Sequence, residues 1–226
     1  MKEQFINKIN SLNALGGSRI KFIEYIFNYF ISLNRPINIL ETGCGHTDGI
    51  PQFKTMTCLF AEIIKNFTGG KLTTIDIDEN NMNKCKKNSL EYKDFIDYRL
   101  GDSLKIIDSL DKNIINDFDL VFLDSFDFDL RDPHPSAIHH FTELMLLYPY
   151  LNENCIVAID DNYLPNTWIS WTFSDGKTER FETKDNILGK GMYCDGFLKN
   201  FGWTKYDKNL FFENQNVFMY KLKSHF

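Results

Sequence analysis

Residues 37–49 read INILETGCGHTDG. A short apolar run reaches an acidic residue, Glu41, and then meets glycines at 43, 45 and 49. That order describes a buried strand ending in a tight turn, where a backbone without Cβ atoms can bend sharply and approach a bound ligand. Upstream, residues 18–33 (SRIKFIEYIFNYFISL) carry apolar groups at helical spacing. They stop before Arg35-Pro36, because a proline disfavours helix in the residue before it. Residues 4–14 read as a shorter helix closed by Gly16-Gly17.

Downstream, strand and helix patterns alternate. Strands are expected at 37–41, 71–76, 95–100, 118–123 and 154–159, and helices at 55–67, 79–90, 103–110 and 136–148. Apolar runs such as LVFL and IVAI suit a parallel sheet covered by helices on both faces. The end of the chain differs. A helix near 191–200 leads to GWTKY (202–206), an Asn-rich turn and VFMYKLK (217–223), the pattern of an antiparallel hairpin at the sheet edge. The fold expected is therefore α/β: a Rossmann-like, doubly wound, mostly parallel seven-stranded sheet with a C-terminal antiparallel hairpin. One domain over 1–226 accommodates it, with N-terminal helices at 1–35, a ligand-binding core at 36–160, and a lid loop, last helix and hairpin at 161–226.

Composition supports this class. A chain of 226 residues can bury a core without disulfides or metal. Its aromatic content is 15%, chiefly 21 Phe and 10 Tyr, which a Phe-rich core explains more readily than a cleft. The net charge of −6 and the lack of a long basic run argue against nucleic acid as partner. Five scattered cysteines, none at C-x-x-C spacing, argue against a disulfide framework and a zinc site. No apolar stretch approaches the ~20 residues that span a bilayer, so a cytoplasmic protein without membrane contact is expected. The sequence leaves a homodimer open.

Three motifs fall at successive strand ends. The first is ETGCGHTDG (41–49). The second, KLTTIDID (71–78), is a β-branched strand ending in Asp76, with Ile77 next. A carboxylate there can accept both hydroxyl hydrogens of a ribose, and the apolar neighbour can flank an adenine. Asp78 is the better cap for the helix at 79–90, which leaves Asp76 free. The stretch from Glu41 to Asp76 exceeds the ~20 residues typical of dinucleotide folds. Its surplus lies in TDGIPQFKTMT (47–57), where Pro51 suggests a loop. The third motif is YRLGDSL (98–104), in which Gly101 allows a turn while Asp102 and Ser103 can present polar atoms, or simply cap the next helix.

With these motifs the chain resembles the class I S-adenosylmethionine-dependent methyltransferases, over roughly residues 37–160 and plausibly the terminal hairpin. The resemblance implies that Glu41, Gly43 and Gly45 lie along the methionine portion and ribose of S-adenosylmethionine. It implies that Asp76 holds the ribose hydroxyls with Ile77 beside the adenine, and that Asp102 and Ser103 meet the adenine edge. A carboxylate in the first motif suits a cofactor carrying a sulfonium and an ammonium, whereas it would repel a pyrophosphate.

A fourth constellation concerns the acceptor. FDLVFLDS (118–125) ends at Asp124, and IVAIDDNY (156–163) ends at Asp160, Asp161 and Asn162. Neighbouring parallel strands end side by side, so these oxygens form a hard-oxygen set suited to Mg²⁺. The layout looks like that of catechol-type, metal-dependent O-methyltransferases, and Asp124, Asp161 and Asn162 match the ligand positions of that pattern. A metal there would lower the pKa of an acceptor hydroxyl and aim its oxygen at the methyl carbon. Two departures stand out. The lysine that catechol-type enzymes carry soon after the first ligand is missing from SFDFDLRDPHP (125–135). The histidine that macrolide-sugar enzymes carry there is replaced by Asp127. His139 or His140 offers an imidazole, a group suited to general-base work, and His139 is grouped with Asp124 as catalytic. A surface or packing role on the helix is its plainer alternative.

Residues 164–197 show little periodicity and read as a lid loop, in which Trp168, Trp171 and Phe173 can stack on an acceptor or anchor the loop by packing. The expected activity is methylation of a small hydroxylated molecule or sugar at oxygen. Two rivals remain. An NAD-linked oxidoreductase would want a phosphate-accommodating G-x-G-x-x-G, and a non-catalytic S-adenosylmethionine-binding module would bind without turnover.

Overall fold

The computed structural model describes residues 2–11, 17–45, 55–173, 175–185, 187–205 and 216–222. Two helices, α1 (Lys2–Asn10) and α2 (Gly17–Leu33), precede β1 (Ile37–Thr42). Then come α3 (Met56–Ile63), β2 (Gly70–Asp76), α4 (Glu79–Asn88), β3 (Ile96–Leu100), α5 (Ser103–Ser109), α6 (Lys112–Asn116), β4 (Leu120–Leu123), α7 (His134–Leu147) and β5 (Ile156–Tyr163). A hairpin of β6 (Trp168–Thr172) and β7 (Thr178–Glu182), the short β8 (Leu188–Gly189), α8 (Met192–Asn200), β9 (Trp203–Lys205) and β10 (Asn216–Leu222) complete the order.

The sheet runs β3-β2-β1-β4-β5-β10-β9. The first five strands pair in parallel, while β10 is antiparallel to both β5 and β9. The expected terminal hairpin is thus present, with β10 the inner strand. Its Asn-rich turn lies outside the described residues, as do 12–16, the 46–49 portion of the first motif and Pro51.

Side chains alternate across the sheet as a period of two requires. Ile37 and Ile39 of β1, Leu120 and Phe122 of β4, and Ile156 and Ala158 of β5 face one apolar cluster, which α1, α2 and α3 complete. Leu40, Val121, Leu123, Val157 and Ile159 face the other, filled by α5, α7 and α8. Eight of the 21 phenylalanines pack on the first face, twice as many as on the second. Phe122 stacks on Phe22 at 5.5 Å between ring centres and meets Phe60 edge-on at 5.4 Å.

The segment expected as a structureless lid carries strands. In β6 and β7 the residues Ile169, Trp171 and Phe181 alternate with polar neighbours, and Ile169 and Leu130 are buried against Tyr163 of β5. The period-two pattern of Ile169, Trp171 and Phe173 was the local signal for it. Among the described residues, no helix is long and apolar enough to cross a membrane.

Phe122 is fully buried between two other rings. Phe122→Ala should therefore cost about 3–5 kcal/mol in urea unfolding. A loss below about 1 kcal/mol would mean that this face is not packed as described.

Candidate active site

The carboxyl ends of β1, β2, β3 and β4 are joined one residue beyond their ladders. Gly43 N–H donates to the Ile75 carbonyl (2.8 Å), Gly101 N–H to the Asp76 carbonyl (2.8 Å), and Asp124 N–H to the Thr42 carbonyl (2.9 Å). Gly43 has φ +82°, and a Cβ there would lie 2.2 Å from the Asp124 carbonyl oxygen. Only glycine lets the first turn press against the end of β4 in this way.

A cavity of about 250 Å³ opens at this edge, lined by Ile75–Ile77, Gly101–Leu104, Ser125, Phe126 and His139. Its polar groups come from Asp76, Asp102 and Ser103. Its apolar surface includes Ile77, an exposed isoleucine (72%) that a flat ligand would cover. Asp78 caps α4, accepting from the N–H groups of Asn80 (2.7 Å) and Asn81 (3.0 Å), and leaves Asp76 at the rim as expected. Asp76 is braced by N–H groups from Cys44 (3.2 Å) and Asp78 (2.8 Å). Asp102 caps α5 through the Leu104 N–H (3.0 Å) and lines the cavity as well. The chemistry of this lining fits an adenosine, with a carboxylate for the ribose and an apolar slot with a polar edge for the base.

Glu41 departs from expectation. It stands behind the turn, 1% exposed, and lines neither described cavity. One carboxyl oxygen accepts from Thr57 and Thr74 hydroxyls (2.7 Å each), and Thr57 in turn accepts from Gly45 N–H (2.8 Å). The other oxygen, Oε1, is buried without a hydrogen-bond partner. Burial raises its pKa to about 8, against the opposing threonine hydrogen bonds. Burial thus favours the protonated form of Glu41, whereas the sequence reading took it as a carboxylate suited to the cofactor's positive charges.

A second cavity, about 490 Å³, adjoins the first and shares Gly43, Asp76, Ile77, Ser125 and Phe126 with it. Its charged wall comes from Asp124, Asp161, Arg19 and Lys190. Arg19 pairs with Asp160 (2.6 Å) and Asp161 (3.1 Å), and Lys190 Nζ pairs with Asp161 (2.9 Å) and, in a short contact, Asp124. Burial works against the Lys190 ammonium, but Asp124, Asp161 and Asp160 outweigh it and raise its pKa. Asp124 is pushed up to about 7, first by burial and then by Asp160 and Asp161, with Lys190 opposing. Three carboxylates share two cations, so the surplus negative charge adds to the effect of burial on Asp124.

The expected Mg²⁺ donors are not presented as a set. Asn162 is fully buried and bound to backbone: its Nδ2 donates to the Ile159 (2.8 Å) and Asp160 (2.9 Å) carbonyls, and its Oδ1 accepts from Gly191 N–H (2.6 Å). Between Asp124 and Asp161 sits an ammonium. Among the described residues, no group of three or more His, Cys, Asp or Glu is arranged to hold an ion. The three residues predicted as ligands do not fit a metal in this arrangement.

His139 belongs to the wall of the first cavity. Its Nε2 meets Ser103 Oγ (3.1 Å) and Glu143 (3.3 Å), and its ring packs on Phe126. It lines the first cavity and not the second, charged one. His140 is buried, with Nδ1 against the Ser136 carbonyl, and burial lowers its pKa to about 4. Trp168 lies under the Arg180 guanidinium and Phe173 under that of Arg131, and neither lines a described cavity. Sequence reasoning missed Arg19, Thr57, Glu143 and Lys190. The only local signal was the Gly-Lys-Gly run at 189–191.

Solved structures share this architecture. A 1,6-didemethyltoxoflavin-N1-methyltransferase from Burkholderia thailandensis, bound to 1,6-didemethyltoxoflavin and S-adenosylhomocysteine, has a TM-score of 0.51 at 14% identity over 95% of this chain and 80% of that one. A DhpI–SAH complex gives 0.53 at 11% identity, over 99% and 96%. A precorrin-6y C5,15-methyltransferase from Geobacter metallireducens gives 0.51 at 9%, over 91% and 88%. These likenesses define the fold class. A family model described as O-methyltransferase matches residues 50–161. The O-methyltransferase match over just under half of the chain and the shared methyltransferase fold together support an S-adenosylmethionine-dependent methyltransferase. No curated protein matches this chain.

Glu41 generates a pH prediction. Its folded pKa of about 8 lies above the ordinary 4.5, so the stability of the acid form is present in full below pH 4.5 and is lost as pH rises through about 8. Glu41→Gln should flatten that fall: its Tm relative to wild type should rise between pH 5 and pH 8.5. In a chain of this size 1 kcal/mol moves Tm by about 2–4 °C. A parallel pH dependence in both proteins would refute the assignment.

Proposed function

We propose that the chain methylates an oxygen of a small hydroxylated molecule, such as a hydroxylated metabolite or a sugar, held in the charged cavity. The observation carrying this reading is the adjacency of the two cavities. One has the lining expected for an adenosine, and the other brings a carboxylate of raised pKa to the same turn.

When bound, S-adenosylmethionine supplies a sulfonium methyl; the acceptor oxygen bonds to that carbon, and the C–S pair stays on sulfur. In this reading Asp76 accepts the ribose hydroxyls, Ile77 and Leu104 flank the adenine, and Asp102 and Ser103 address its edge. Gly43 and Gly45 let the backbone run close to the methionine portion. Asp124 takes the acceptor's proton, as its raised pKa suits a base working near neutrality. The surroundings of His139 support a role in the adenosine wall, and no step is assigned to a metal. The chain's own contribution is mainly alignment in a partly dry cleft.

Two measurements test this. Asp76→Ala should weaken S-adenosylhomocysteine binding in calorimetry by about 1.5–3 kcal/mol, or about 10- to 150-fold. Unchanged affinity in a folded variant would remove the ribose assignment. In a methyl-release assay over hydroxylated metabolites, the wild-type rate should climb as pH rises through about 7 and then level, because Asp124 acts deprotonated. Asp124→Asn should lower turnover by about 10²-fold or more while S-adenosylhomocysteine still binds normally. A rate indifferent to that substitution would eliminate Asp124 as base.

A further inference from the structure

The lysine missing after the fourth strand arrives from elsewhere in the chain. The short strand β8 pairs antiparallel with the end of β5, matching Gly189 to Asn162, and the next residue is Lys190. Two glycines make this approach possible. Gly189 has φ +134°, and a Cβ there would lie 2.2 Å from the Asp161 carbonyl oxygen; a Cβ at Gly191 would lie 2.7 Å from Asn162 Oδ1. Asn162 clamps the strand by accepting the Gly191 N–H. The amide expected as a metal ligand instead fastens the segment that delivers a cation. Asp161 completes the turn with a left-handed backbone (φ 52°), rare outside glycine and asparagine.

We propose that Lys190 is a resident cation occupying the place where a divalent metal would sit between Asp124 and Asp161. Its side chain is 3% exposed yet reaches the wall of the acceptor cavity. Its Nζ meets both carboxylates, and in this proposal its remaining N–H is the one that reaches an acceptor oxygen. An ammonium offers that oxygen one N–H, where a metal ion would offer open coordination positions. It also carries its charge without competing water ligands or dependence on free ion. The role toward the acceptor rests on the methyl-transfer reading; the place of the cation does not.

The test uses Mn²⁺ alone as probe, followed by electron paramagnetic resonance, with calorimetric binding of S-adenosylhomocysteine as a parallel readout. Wild type should show no stoichiometric Mn²⁺ site at millimolar ion. Lys190→Ala, and Lys190→Gln as a variant of similar length, should gain one site at least tenfold tighter, and adding Asp124→Asn should abolish it. A stoichiometric Mn²⁺ site in wild type that Asp124→Asn removes would overturn the proposal, and so would failure of both folded lysine variants to gain one. S-adenosylhomocysteine binding should persist in the variants. Its absence from wild type would count against the methyltransferase reading, while the Mn²⁺ result would still decide the place of Lys190.

Discussion

The site depends on one constraint, the parallel register that brings β1, β2 and β4 to a common end. Thr42 lies opposite Ile75 on one side and Leu123 on the other, so the residues following each strand emerge at one level. The ladder then runs on into the loops through Gly43, Gly101 and Asp124. A slip of one residue in any of these strands would turn every inward side chain outward. It would also carry Asp76 or Asp124 away from the turn. Apolar burial on both faces penalises such a slip, and so the Phe-rich packing far from the cleft fixes the positions of its carboxylates.

Charge in the cleft is arranged around that edge with little redundancy. Burial favours the protonated form of Glu41 behind the turn, and a guanidinium and an ammonium compensate the Asp124 cluster in part. Asp76 alone is held chiefly by backbone N–H groups. These are the three ways a folded chain tolerates a carboxyl group out of water: protonation, ion pairing and hydrogen bonding. The choice at each position separates a structural acid, a candidate base and a candidate ribose acceptor of similar chemistry.

Much of this was legible in the sequence because it is local. Apolar runs of period two, glycines after strands, and Asp78 in place to cap α4 each report on their own neighbourhood, and from them the sheet, its terminal hairpin and the cavity residues Asp76, Ile77, Asp102 and Ser103 follow. What escaped depends on contacts between distant segments. Whether Glu41 is charged is decided by Thr57 and Thr74 closing over it. Whether Asp124 and Asp161 face a metal is decided by Arg19 and Lys190, which lie far along the chain in either direction. Asn162 was assigned by its place in a pattern, while its function is set by Gly191. The hairpin β6–β7 was passed over for another reason: its alternation is short and interrupted by charged residues, and its apolar face meets a small cluster of its own, apart from the two main clusters.

Glu143 shows how the two cavities come to share one scaffold. It is fully buried on α7. Burial works to raise its pKa, but the hydrogen bond from His139 and the neighbouring His140 outweigh this and hold it below the usual range. Its oxygens accept from Thr42 (3.2 Å), at the end of β1, and from Ser125 (2.7 Å), just past Asp124. Through His139 it also reaches Ser103 in the wall of the first cavity. A buried anion satisfied by groups from three strand ends leaves none of them free to move alone, since each withdrawn donor would strand part of its charge. The wall of the first cavity and the turn bearing Asp124 are therefore set against each other by one side chain that lines neither cavity. That coupling is what an in-line transfer between two separately bound molecules requires of its scaffold.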